Sequence, residues 1–125
     1  MEISKKILVV DDDHIIRTIV SQMLSRLGYD VWSAADAREG LGIFLQNRFD
    51  IVLSDFEMPG MDGVDLAHSI KQRSPSTPVV IMTGARTENI FSRSSTAVDV
   101  VVSKPFTMAE LNETIRTVSG NALHA

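Results

Sequence analysis

Ile51-Val52-Leu53-Ser54-Asp55-Phe56-Glu57-Met58-Pro59-Gly60-Met61-Asp62-Gly63 is the stretch on which the fold turns. An apolar run stops abruptly at an acid, and a turn built from Pro59, Gly60, Asp62 and Gly63 follows at once. A short apolar run bounded by turn residues reads as a buried strand, here Ile51 to Ser54. Asp55 then stands at the carboxyl end of that strand, held on a rigid element. Open parallel sheets place their chemistry at that edge. The plainer alternative is that Asp55 only opens a turn, as Asp often does. The flanking chain has to decide between the two.

Upstream, Ile7-Leu8-Val9-Val10 is an aliphatic strand that ends in Asp11-Asp12-Asp13. Ile16, Ile19, Val20, Met23, Leu24 and Leu27 then recur at three- and four-residue steps, one apolar face of a helix. Asp13 suits its N-cap and Gly28 its C-terminal turn. Tyr29 to Ala34 is a second strand, less purely aliphatic and so placed at an edge. Asp36 caps a second helix with Ala37, Leu41, Phe44 and Leu45 inward, weakened by Gly40 and Gly42.

Downstream, Leu66, Ala67 and Ile70 mark a third helix that ends before the Ser74-Pro75-Ser76-Thr77-Pro78 loop. Val79 to Met82 is a fourth strand leading to Thr83-Gly84. Residues 86–97 read as a short, polar fourth helix with Ile90 and Phe91 as its large apolar residues. Val100 to Val102 is a fifth strand, running into Ser103-Lys104-Pro105. Thr107 and Glu110 have capping-box spacing. Met108, Leu111, Ile115 and Val118 form the inner stripe of a last helix, which Gly120 is expected to stop.

Strands and helices alternate, and the strands are near-continuous aliphatic runs. The pattern predicts an α/β fold: a five-stranded parallel sheet in a three-layer doubly wound, flavodoxin-like sandwich of order 2-1-3-4-5. Residues 1–120 are expected to form one domain, with 121–125 as a tail or the start of a linker. The 125-residue length suits one domain, and the 44% hydrophobic content is that of a globular chain. There is no cysteine, so disulfide and thiol chemistry are excluded. No apolar run approaches the ~20 residues a bilayer span needs, and residues 1–6 lack a signal peptide's apolar core. The expectation is a soluble, cytoplasmic protein. The formal net charge of −4 comes without a basic cluster, which argues against direct nucleic-acid binding and favours a cation or a basic partner.

In the order 2-1-3-4-5 the first and third strands are neighbours, so Asp11, Asp12 and Asp55 converge at one edge, near Thr83 and Lys104. Converging carboxylates repel and need a counter-charge. Lys104 supplies one. A hard metal such as Mg²⁺ supplies another, since it takes oxygen ligands and phosphoryl oxygens. A carboxylate nucleophile, a metal, a hydroxyl donor and an ammonium are the parts for accepting a phosphoryl group. Taken singly, each part has a plainer reading: acids before a helix serve as caps, Thr-Gly is a turn, Lys-Pro lies on a surface. Their joint arrival at one edge is what favours a site. His14, His68 and His124 have no second His at metal spacing and read as surface or capping groups. Trp32 reads as strand packing, and Met58 and Met61 as packing or rim.

On these residues the chain resembles the receiver domain of two-component response regulators, over nearly its whole length. The resemblance is carried by Leu8-Val9-Val10-Asp11-Asp12-Asp13, Ser54 to Gly63, Met82-Thr83-Gly84 and Lys104-Pro105-Phe106. It implies a signalling domain rather than an enzyme, working in a phosphorelay. Asp55 would accept phosphate from a histidine kinase or a histidine phosphotransfer protein. Asp12 and Asp55 would bind Mg²⁺ (or another divalent cation) through their carboxylates, Asp11 directly or through water, and Glu57 through its backbone carbonyl. Thr83 would donate its hydroxyl to the phosphoryl oxygens. Lys104 would pair with Asp55 and then with the phosphoryl group, across a cis Lys104-Pro105 bond. The added charge would draw Thr83 and Lys104 inward and alter the surface around the last two strands, the face that partners read.

Two departures stand out. Val101 occupies the position of the family's usual aromatic switch, and valine has no ring to swing. Glu57 follows the acceptor by two residues, and its side chain is expected to lean over the phosphoryl group and tune its lifetime. Phosphate loss from Glu57→Ala checks this: a half-life unlike the parent's is expected, and an unchanged one refutes it. Two other readings compete. One is a receiver-like interaction module that works without phosphate. The other is a phosphatase of the haloacid dehalogenase type, whose Asp-x-Asp pattern is only partly met by Asp11 and Asp13 and whose cap region is missing. The cognate kinase, the output, and whether the domain stands alone or belongs to a longer regulator are not encoded in this stretch.

Overall fold

The fold was analysed in a computed structural model, which describes residues 4–84, 90 and 96–124, with side chains through 119. In chain order the elements are β1 (Lys6–Val10), α1 (His14–Arg26), β2 (Asp30–Ala34), α2 (Ala37–Gln46), β3 (Ile51–Asp55), α3 (Gly63–Arg73), β4 (Val79–Thr83), β5 (Val100–Ser103) and α4 (Met108–His124). The strands form one sheet of order β2-β1-β3-β4-β5, with every pairing parallel. This is the order expected from the sequence. The helix expected over 86–97 lies, apart from Ile90 and its last residues, outside the described residues.

Strand periodicity sorts the core into two halves. Leu8, Val10, Val52, Val79 and Ile81 face α2 and α3, where Phe44, Val64, Leu66 and Ile70 cover them. Ile7, Val9, Ile51, Leu53, Val80, Met82 and Val102 face α1 and α4, where Val20, Leu24, Leu111, Ile115 and Val118 lie. Side chains alternate across a strand, so the uninterrupted aliphatic runs follow directly from a sheet covered on both sides. Edge strand β2 is mostly exposed. Its Trp32 packs edge-on against Phe49 with ring centroids 5.9 Å apart, and Lys6 Nζ sits 4.4 Å above the Trp32 ring.

Helix boundaries follow the expected side chains at most ends. Asp13 accepts from the amides of Ile15 and Ile16. Asp36 accepts from Glu39 N, while Glu39 Oε1 accepts from Ala35 N. Thr107 and Glu110 cap α4 reciprocally, at 2.9 and 3.1 Å. Gly28 takes the positive φ expected after α1.

Four details differ from expectation. Ile19, Leu45 and Met108 are exposed rather than inward. On α2 the inward place goes to Gly40, where a Cβ would meet Val10 Cγ2 at 2.8 Å. The glycine that weakens the helix is therefore what lets α2 lie close on β1. Asp55 and Thr83 are the last residues of their strands rather than the first beyond them. Finally, α4 continues through Gly120 to His124. A glycine in a helix costs only ~1 kcal/mol relative to alanine and does not end the helix by itself.

Candidate functional site

The carboxyl ends of β1, β3, β4 and β5 open onto one pocket of about 420 Å³, lined by Asp11, Asp12, Asp13, Asp55, Glu57, Thr83, Gly84 and Lys104. Every site residue expected from the sequence is on this list. The ladder explains the convergence. Val10 pairs with Ser54 and with Ala34, Asp55 with Met82, and Thr83 with Ser103, so the strands end almost level. Two backbone bonds carry the pairing one residue past the strands: Phe56 N to Met82 O at 2.9 Å, and Lys104 N to Thr83 O at 2.8 Å. The second fixes the Lys104 backbone beside Thr83, and the Lys104-Pro105 bond is cis.

Lys104 Nζ donates to Asp55 Oδ1 at 2.8 Å and lies 3.8 Å from Asp11 Oδ2. One ammonium thus faces two carboxylates. Asp11, Asp12 and Asp55 offer oxygens that all lie within 4.8 Å of one another. The carboxylate of Glu57 is not part of that group, although Glu57 lines the same pocket. Thr83 is buried at the end of β4.

Asp11 is completely buried and held on three sides. Its amide donates to Ala34 O at 3.2 Å. Its carbonyl accepts from Arg17 Nη1 at 2.8 Å, and its Oδ1 accepts from Asp13 N at 2.9 Å. Its Oδ2 is buried with no hydrogen-bond partner. Burial pushes the Asp11 carboxyl above the ordinary range. The charges of Asp55 and Asp12 push it the same way, while the Asp13 amide and Lys104 oppose the rise. A buried carboxylate oxygen without a hydrogen bond, next to two more carboxylates, is a place short of positive charge.

Sequence reading took Gly63 only as part of a turn, but the structure gives it a second role. Gly63 opens α3, its amide donates to Phe56 O at 2.9 Å, and a Cβ there would collide with the Asp55 carbonyl oxygen. Arg17 was also missed. It is half-buried on α1 and reaches back to the Asp11 carbonyl. The helical spacing of charged residues gives no hint of such a reach. His14, adjacent to the acids, meets Arg17 Nη2 through Nδ1 at 3.1 Å instead of joining the pocket.

A family model described as the response regulator receiver domain matches residues 7–116. The chain is 38% identical to a probable transcriptional regulator ycf27 from Porphyridium aerugineum, over 91% of this chain and 48% of that protein. It therefore spans about half the length of this relative. A CheY-like receiver domain protein from Methanospirillum hungatei JF-1 superposes with TM-score 0.92 at 30% identity, covering 98% of each chain. The response regulator TrrA from Thermotoga maritima, solved in complex with Mg²⁺–BeF, superposes with TM-score 0.84 at 32% identity. That match covers 91% of this chain and 98% of the other.

Proposed function

The chain belongs to the response regulator receiver domain family, and from that premise we propose that it takes a phosphoryl group onto Asp55, with Mg²⁺ held at Asp11, Asp12 and Asp55. Receivers are phosphoacceptor signalling modules rather than catalytic enzymes. The observation that carries the reading is the shared ammonium. Lys104 reaches Asp55 at 2.8 Å but Asp11 Oδ2 only at 3.8 Å, so that buried oxygen has no hydrogen-bond partner. Among the described residues one cation, Lys104, serves a cluster of three acids, and the deficit is what a hard divalent ion meets.

The donor set fits such an ion, being carboxylate oxygens close enough together for one small cation. Asp11, Asp12 and Asp55 would hold it, with the Glu57 main-chain carbonyl beside them. When bound, it supplies positive charge to the oxygens of the incoming phosphoryl group. The rest is done by this chain's side chains. Lys104 fixes one Asp55 oxygen, leaving the other to attack phosphorus in line as the bond from phosphorus to the donor breaks. Thr83 donates its hydroxyl to a phosphoryl oxygen. Lys104 follows the new negative charge. The donor is a phosphohistidine of a histidine kinase or a phosphotransfer protein, whose imidazole leaves with the bond pair. Val101 pairs with Ile81 and is half-buried on β5, so the surface change passes along β4 and β5 without a rotating ring.

The test is incubation with acetyl phosphate and Mg²⁺, read by intact mass. The unsubstituted protein is expected to gain one phosphoryl mass and Asp55→Ala none. No gain on the unsubstituted protein overturns the proposal, and an equal gain on the variant overturns the assignment to Asp55.

A further inference from the structure

Arg17 has no part in the chemistry above, yet it makes a partly buried contact at the edge of the site. Its Nη1 donates to the Asp11 carbonyl at 2.8 Å and its Nη2 meets His14 Nδ1 at 3.1 Å. The Asp11 carbonyl belongs to the same rigid peptide plane as the Asp12 amide. Fixing that carbonyl therefore fixes the direction in which the chain leaves β1 and where Asp12 begins. Asp11 is already pinned at its amide by Ala34 and at Oδ1 by Asp13. Arg17 supplies the remaining main-chain restraint. Without it, a partly buried carbonyl loses this partner and the plane is freer to turn.

We propose that Arg17 is a positioning residue. By clamping the Asp11–Asp12 peptide it holds the Asp11 and Asp12 carboxylates in the arrangement that binds the divalent cation. The inference rests on the Mg²⁺ reading of the site. Groups that orient ligands from behind typically change metal affinity 10–100-fold when removed. The restraint comes from a forked guanidinium that reaches two acceptors at once. A general charge effect of Arg17 makes a different prediction, since any cation lost from this acidic chain would then weaken or strengthen binding alike.

The experiment is Mg²⁺ titration by isothermal calorimetry on the full chain, comparing the parent with Arg17→Ala, Arg17→Lys and Arg26→Ala. Arg26 lies in the last turn of the same helix and serves as the charge control. Arg17→Ala is expected to lose about tenfold in affinity, Arg17→Lys, whose single ammonium lacks the fork, to recover only a small part of it, and Arg26→Ala to match the parent. In metal-free samples the amide resonances of Asp12 and Asp13 are expected to move in both Arg17 variants, with that of Val102 unmoved. Arg17→Lys keeps the comparison available if Arg17→Ala does not fold. Affinity within twofold of the parent in Arg17→Ala overturns the clamp, as does an equal loss in Arg26→Ala or an unmoved Asp12 amide. A parent that takes up no Mg²⁺ overturns the reading of the site, and the clamp with it. That failure shows in the unsubstituted arm alone.

Discussion

Asp11 opposes the fold that buries it. Its carboxyl is pushed above its ordinary value of 3.8, first by burial and then by the charges of Asp55 and Asp12. An acid whose pKa rises on folding holds its proton more tightly in the native state than in the unfolded chain. It therefore favours the fold at low pH and opposes it once pH climbs past the ordinary carboxylate range. Asp11→Asn is expected to raise the melting temperature of the metal-free protein at neutral pH by roughly 2–5 °C. The substitution keeps an acceptor for Asp13 N while removing the charge. The gain should fade as pH falls toward the ordinary carboxylate value, and thermal melts in chelator across that range check it. The acids themselves were legible in the sequence because each stands within two residues of the end of an aliphatic run. The orphaned Oδ2 and the Arg17 contact were not, because both depend on where a buried peptide plane points.

At the scale of elements, the seating of α3 on β3 governs the position of Asp55. Gly63 begins α3 directly against the Asp55 carbonyl, and a methyl group there also meets Ile81 Cδ1 at 3.0 Å. Gly63→Ala is expected to destabilise by about 1–3 kcal/mol, the usual range for overpacking. On the proposed reading it should also slow phosphorylation, since the strand end that moves carries Asp55, the proposed acceptor. Gly42→Ala is the contrasting case. A Cβ at Gly42 meets nothing within 4 Å, so better helix propensity alone predicts a gain of about 0.5–1 kcal/mol. Urea denaturation of both variants, with acetyl phosphate kinetics, measures the pair. Most elements could be read from the sequence, because strands covered on both faces are aliphatic runs and four helices begin with cap-type side chains. Which glycine ends a helix was harder to read. Gly28 takes a positive φ after α1, whereas Gly120 lies within α4, and the letter alone does not distinguish them.

At the scale of the molecule, the sheet order brings β1 and β3 side by side, and on the proposed reading their clustered acids make the native state a better cation ligand than the unfolded chain. A ligand that binds only the folded form stabilises it by RT ln(1 + [L]/Kd), about 2.7 kcal/mol at a hundredfold excess over Kd. Mg²⁺ is expected to raise the melting temperature, chelator to reverse the rise, and Asp55→Ala to blunt it, all within reach of differential scanning fluorimetry. The pocket was predictable as a set of residues because topology alone brings strand ends together. Its charge deficit needed the structure, since one lysine at 2.8 and 3.8 Å from two acids becomes visible only in three dimensions. Among the described residues no helix is long and apolar enough to cross a membrane. On the edge strand β2, the cluster of Lys6, Trp32 and Phe49 also gives the molecule an optical signal. Trp32 is the only tryptophan, 40% exposed, beneath an ammonium from the first residue of β1. Its emission reports whether the edge strand is docked, and the Asp11 amide bond to Ala34 O, two residues along from Trp32, links that strand to the acids. A shift in its colour on phosphorylation would be the sign of a disturbance passed from the acids at the end of β1 into the edge strand β2.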